Sequence, residues 1–195
     1  MHSPQRKRGI VRRALASLTS PSARWPVLTL VVIGLALGAG GVIATQAMVY
    51  VTGTNEFCGN ACHSMKWVTQ EYLQSAHYAN RTGVRAGCHD CHIPHAYPEL
   101  LWYKAKAGIH DAIQEARGVI ATEEKFKKER LRLAKSVWAE FKGNHSANCR
   151  QCHTFTAETI AKQKEFVQPL HKMVLSGEST CIDCHKGVAH TAPDE

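Results

Sequence analysis

Aromatic side chains are scarce, with Phe, Tyr and Trp together making 7% of the 195 residues. So small a stock excludes a large conventional apolar core, and something other than side chains must fill the interior. No stretch alternates polar and apolar residues as a half-buried strand would, so the chain reads as mostly α with little or no sheet. Charge is missing altogether from Trp25 to Asn55, and within that gap Val27 to Val51 is almost wholly apolar or small.

A helix over that run is long enough to cross about 30 Å of hydrocarbon. Arg6, Lys7, Arg8, Arg12, Arg13 and Arg24 precede it and Glu56 is the first charge after it. The positive-inside rule then leaves the amino terminus in the cytoplasm and everything after about Thr52 outside. Trp25 and Tyr50 stand at the two ends, where amphipathic rings suit the interface. A cleavable signal peptide is the rival reading, since Ala44 to Ala47 offers small residues, but the run is longer than a signal core and the flanking site is poor. The expected organisation is a basic tail over 1–24, an anchor helix over 25–51 and an outer domain over 52–195. Gly34 and Gly38 form a GxxxG pair, which would suit a homo-oligomer or a complex through the anchor.

What the chain does have is eight cysteines in four close pairs, each pair followed at once by histidine. Cys88/Cys91–His92, Cys149/Cys152–His153 and Cys181/Cys184–His185 are regular C-x-x-C-H motifs, the attachment signature of c-type haem: two thiols form thioethers and the adjacent imidazole is aimed at the iron. Zinc ribbons, thioredoxin-like dithiols and disulfide frameworks use paired cysteines too, but none needs a histidine after every second one. The first motif, CGNACH, has one residue more between Cys58 and Cys62. At i to i+4 on a helix both sulfurs still share a face, so a fourth attachment is expected with a local bulge. Four haems would bring eight propionates, which offset the net charge of +8. The basic balance therefore does not call for nucleic acid, despite the Lys125 to Arg132 cluster.

Helices are expected from Pro98 to about Arg117, from Thr122 to Lys142 with Gly143 as a stop, and from Glu158 to Leu175 across Pro169. A shorter helical run starts at Ser64. Besides the motif histidines His63, His92, His153 and His185, eight others remain. His2 lies on the inner side and His89 inside a motif; His95, His110 and His145 read as surface residues. His77, near the end of the run from Ser64, His171 and His190 are the candidate second axial ligands. Met65, two residues after His63, offers a thioether, which would raise the potential relative to a second imidazole. Spacing leaves Met65 and His63 both open.

The anchor, EFCGNACHSM, EYLQSAHYANRTGVRAGCHDCHIPH, SANCRQCH and GESTCIDCHKGVAH together resemble the NapC/NirT/NrfH family of membrane-anchored tetrahaem quinol dehydrogenases, in its NapC-like branch. The resemblance covers nearly the whole chain. It implies four covalently bound haem c groups on the periplasmic side of a bacterial inner membrane, in a single-pass protein that sits in the lipid bilayer. It implies oxidation of membrane quinol, menaquinol or ubiquinol, and delivery of electrons to a periplasmic reductase or soluble cytochrome. Met65 would hold the first haem, and Lys104 and Asp111, on the helix after the second motif, would belong to the quinol site. By the same resemblance His77 is expected on the fourth haem, His190 on the third and His171 on the second. Electron flow in reverse, into the quinone pool, and an anchor subunit without a quinol site are the alternatives.

Overall fold

The computed structural model describes Gly9 and residues 27–194. The basic tail and Trp25 lie outside the described residues. Two compact units divide between Met48 and Val49.

Helix α1, Val27–Val51, has no acidic residue in its first turn and no basic one in its last. Its stretch Leu28–Val51 has a mean hydropathy of 2.2 and none of it is buried within the protein. At 1.5 Å per residue, 25 residues extend about 37 Å, enough to cross the hydrocarbon. A Cβ added at Gly34 or Gly38 would meet open space. A helix this apolar on every side, and unburied, is the membrane-anchor candidate of the chain.

The second unit is helical throughout, with no strand among the described residues. Short helix α2, Asn55–Asn60, is capped by the Thr54 hydroxyl accepting from Phe57 N–H. A 3₁₀ turn, His63–Met65, leads into α3, Lys66–Leu73, and then α4, Cys88–His92. The two long helices are α5, Glu99–Arg117, and α6, Glu123–Gly143. Pro98 opens α5 and Gly118, left-handed at φ 61°, closes it, while Thr122 caps α6 through Lys125 N–H. These ends lie where the sequence signals put them.

The expected helix from Glu158 to Leu175 is instead broken. It becomes α8, Ala157–Ala161, a 3₁₀ turn at Glu165–Val167, and α9, Gln168–Ser176, with Pro169 in the first turn of the last piece. Proline lacks an N–H and clashes with the preceding turn, so it starts a helix more readily than it continues one. Helices α7, Ala147–Arg150, and α10, Cys181–Cys184, carry the last two motifs. Among the described residues only Tyr72, Phe126, Ile160, Val174 and Ile182 are buried apolar side chains. They come from five different segments, so hydrogen-bonded turns rather than a continuous apolar centre connect the unit.

Candidate functional site

Each regular motif occupies one helical turn. Cys88–His92 is α4 itself, His153 N–H donates to Cys149 C=O at 3.0 Å and His185 N–H to Cys181 C=O at 2.9 Å. A closed turn puts thiols at i and i+3 on one side and the histidine beside them. Carboxylates within two of these turns cap them: Asp90 accepts from Gly87 N–H at 2.6 Å, and Asp183 from Thr180 N–H at 2.8 Å. All eight thiols are free. Among the described residues no three His, Cys, Asp or Glu side chains converge as a metal cage.

The histidines come in facing pairs. His92 and His190 have ring centroids 6.3 Å apart, His77 and His153 6.2 Å, and His171 and His185 6.1 Å. A metal bound on opposite sides by two imidazoles at about 2 Å each holds their centroids roughly 6 Å apart. Three times over, one motif histidine and one distant histidine meet that spacing. Two of the distant rings are oriented from behind: His77 Nδ1 lies 3.1 Å from Val188 C=O, and His171 Nδ1 bonds the Gln163 side-chain oxygen. Donation from Nδ1–H leaves Nε2 as the free, basic nitrogen, the usual arrangement behind a metal-bound histidine. Burial pushes the pKa of His92 down to about 4 and lowers that of His190 as well. Both are neutral at neutral pH, the form that ligates metal. His190 Nδ1 is buried without a hydrogen-bond partner.

The facing pairs differ from the expected assignments: His77 lies against His153 of the third motif and not the fourth, His190 against His92 of the second and not the third, and His171 against His185 of the fourth and not the second. Order along the chain does not dictate which turn a distant loop reaches. The break before Pro169 is what brings Gln163 against His171, and nothing local in the sequence marks Gln163 as its partner.

The first motif is built differently. Helix α2 stops at Asn60, and Cys62 is extended at φ −117° and ψ 125°, so the two cysteines do not share one helical turn as expected. His63 faces no imidazole among the described residues. Its Nδ1 meets Glu115 Oε1 at 2.5 Å, and the buried Ser64 hydroxyl donates to the other oxygen of the same carboxylate. Met65 closes the 3₁₀ turn, its N–H donating to Cys62 C=O at 3.1 Å.

Helix α5 runs beside this motif. Lys104 Nζ donates to Thr52 C=O at 3.1 Å and to the Thr52 hydroxyl at 2.9 Å, and burial lowers its pKa while the Cys58 thiol nearby opposes that. Asp111 is 71% exposed, with Oδ1 3.0 Å from His110 Nδ1. Burial, and after it the Glu115 and Asp111 carboxylates, raise the pKa of Cys62, so both acids lie within electrostatic reach of it. Lys104 and Asp111 thus flank the first motif at its two cysteines, and no ion pair joins them. His89, His95 and His145 pair with no other imidazole; His89 Nε2 contacts Asp90 at 3.0 Å and His95 Nε2 the Asp90 carbonyl at 3.1 Å.

Polar side chains link the four motifs in chain order. Asn55 Oδ1 accepts from Cys88 N–H at 2.8 Å, joining the first to the second. Asn148 donates to Cys91 C=O at 2.6 Å and Ile93 C=O at 3.2 Å, joining the third to the second. Ser146 Oγ accepts from Ile182 N–H at 3.4 Å, joining the fourth to the third. The sequence offered no sign of these links, because asparagine and serine before a motif look like ordinary caps.

The family model for the NapC/NirT cytochrome c family, N-terminal region, matches residues 20–195. The chain belongs to that family. It is 44% identical over 185 residues to the cytochrome c-type protein TorC of Escherichia coli, a match over 94% of this chain and 47% of TorC, so it spans about half the length of that relative. It is 38% identical over 198 residues to the cytochrome c-type protein NapC of Escherichia coli, covering 100% of this chain and 96% of NapC. A crystal structure of the cytochrome c nitrite reductase NrfHA complex bound to the HQNO inhibitor contains a chain 26% identical, with a TM-score of 0.48, matched over 83% of this chain and 90% of that one.

Membership of the NapC/NirT family makes this a c-type cytochrome, and such cytochromes hold haem c covalently. The residues fit that group. The paired thiols on closed turns suit thioether attachment, and the three facing imidazole pairs suit axial ligation on both sides of an iron. The apolar helix α1 fits the membrane anchor.

Proposed function

We propose that this NapC/NirT cytochrome carries four haem c groups, takes electrons from membrane quinol at the first, and passes them through the other three to a periplasmic reductase or soluble cytochrome. The observation that carries the reading is the linkage of the four motifs in chain order through Asn55, Asn148 and Ser146, a series that begins next to Thr52, one residue beyond the end of α1. A relay needs its carriers in fixed sequence, with one end at the membrane.

Bound haem supplies the one-electron redox chemistry, and the chain supplies spacing, ligands and surroundings. Cys58 and Cys62, Cys88 and Cys91, Cys149 and Cys152, and Cys181 and Cys184 hold the four groups. The pairs His92/His190, His153/His77 and His185/His171 would hold three irons, and Met65 would hold the first, His63 being turned to Glu115.

Quinol must also lose two protons. Lys104, fixed on Thr52 with a lowered pKa, presents an ammonium group to a quinol oxygen and orients it. Asp111, exposed to water one residue from His110, accepts a proton and returns it to the outer solvent. With the amino terminus in the cytoplasm, those protons are released in the periplasm. Full-length protein in vesicles, supplied with menaquinol or ubiquinol, tests this by the rate of haem reduction. Lys104→Met and Asp111→Asn are expected to slow reduction at least tenfold while dithionite still reduces every haem. Undiminished quinol rates in both variants would refute the quinol site and leave an electron-transfer anchor.

A further inference from the structure

Arg130 belongs to the basic run of α6, which reads in the sequence as a solvated surface. In the structure it is only 19% exposed at its side chain, and it reaches across to two other segments. Its guanidinium donates to Glu71 Oε2 at 2.7 Å, and its Nε donates to Thr191 C=O at 3.1 Å, with a second bond from Nη2 to the same carbonyl. Glu71, on α3, in turn accepts from Thr191 N–H at 3.2 Å. One ion pair therefore grips both the N–H and the C=O of a single residue. That residue directly follows His190.

The segment being held is irregular, with His77 Nδ1 against Val188 C=O and Lys186 over the Trp138 ring among its other contacts. Residues 186–194 contain no helix, and the turn that reverses the chain depends on Gly187 at φ 76°, where a Cβ would meet Ala192 Cβ at 3.2 Å and His190 C=O at 3.3 Å. His190 must nonetheless keep its ring 6.3 Å from that of His92. Its Nδ1, buried and without a hydrogen bond, faces the Glu71 carboxylate at 4.0 Å. An irregular tail loses substantial conformational freedom when one of its side chains is fixed in place. A partly buried bidentate clasp on the adjacent peptide is a direct way to hold it there.

We propose that Arg130 and Glu71 are positioning residues that deliver His190, as the distal ligand, to the second haem. The pair ties the carboxyl-terminal tail to α3 and α6 at the residue after the ligand, and Glu71 also sets a negative charge behind the imidazole. The inference rests on the reading of His92 and His190 as the two ligands of that haem. Arg130 acts on how firmly His190 stays in place, and Glu71 acts both on that and on the charge behind the imidazole.

The experiment is electron paramagnetic resonance and carbon monoxide binding on the full-length, haem-loaded protein. His190→Ala is the reference and is expected to convert one low-spin haem to a high-spin, carbon monoxide-binding form, with added imidazole restoring the low-spin signal. Arg130→Leu is expected to produce the same high-spin signal in part of the molecules, again reversed by imidazole, with the other haems unchanged. Arg130→Lys, which keeps charge but loses the fork, is expected to lie between wild type and Arg130→Leu. Glu71→Gln is expected to keep most of the low-spin signal while raising the midpoint potential of that one haem, because a neutral group behind the imidazole stabilises ferric iron less. If His190→Ala leaves every haem low-spin, the ligand reading itself is wrong. If His190→Ala gives the high-spin form but Arg130→Leu shows no high-spin signal and no gain in carbon monoxide binding, the clasp is overturned and the ligand reading stands.

Discussion

In the three regular motifs the two cysteines and their histidine share one closed turn, and that histidine faces another imidazole across about 6 Å. In the first motif the helix stops between the cysteines, and His63 turns to Glu115. One inserted residue separates the two designs. It shifts Cys62 off the turn of Cys58, and a histidine that follows an extended residue no longer points where its counterparts do. The regular sites are joined to distant parts of the chain through the imidazoles they face. The first is joined to α5 through the Glu115 carboxylate, with Lys104 of the same helix meeting Thr52. The first motif is flanked by Lys104, Asp111 and Glu115, groups that can exchange protons, whereas each regular motif is closed by a second imidazole.

The largest expected effect comes from deleting sites of the two kinds. Replacing both Cys88 and Cys91 by serine is expected to remove one haem and one imidazole pair together, leaving a protein that is protease-sensitive and largely lost from membranes. The double change at Cys58 and Cys62 is expected to leave three low-spin haems in a folded domain. Intact-mass haem counting and electron paramagnetic resonance of the two variants check this, and equal damage from both would mean that the sites do not differ in the way described.

A smaller effect is expected at the link between the second and third motifs. Asn148→Ala removes two hydrogen bonds to backbone carbonyls at 2.6 and 3.2 Å and should destabilise the domain by about 1–3 kcal/mol, seen as a lower urea midpoint at unchanged haem content. Asn148→Asp, which cannot donate to those carbonyls, should do no better.

The smallest effect concerns pH and the first motif alone. The Ser64 hydroxyl, and then the His63 ring, hold the Glu115 carboxyl below its usual range. A carboxyl depressed in the folded state adds stability above its unfolded pKa, near 4.3, and loses it as pH falls through the folded value. Glu115→Gln is therefore expected to lower the thermal midpoint slightly at pH 6 and to show a shallower decline than wild type below about pH 4.5. Parallel curves for the two proteins across that range would remove Glu115 from the account of this site.

Much was legible in the residues alone. The apolar helix α1 follows from a long run without charge, and the three closed turns lie where cysteine and histidine recur at fixed short spacing. The starts of α5 and α6 follow from Pro98 and Thr122, because a cap acts within a few residues of itself, whereas Gly143, the expected stop, is the last residue of α6. The choice of His77, His171 and His190 over His95, His110 and His145 also came from the sequence, and in the structure the chosen three are the ones that face motif histidines. Their pairing did not. His77 and His153 are far apart in the chain, as are His92 and His190, and only the packing of the intervening helices decides which ring meets which. The same is true of Gln163 behind His171, of the Asn55, Asn148 and Ser146 links, and of Arg130, which the sequence presents as one more charge in a basic run. Local chemistry determined what each site is; contacts between residues remote in sequence, made when the helices assembled, decided which residues complete it.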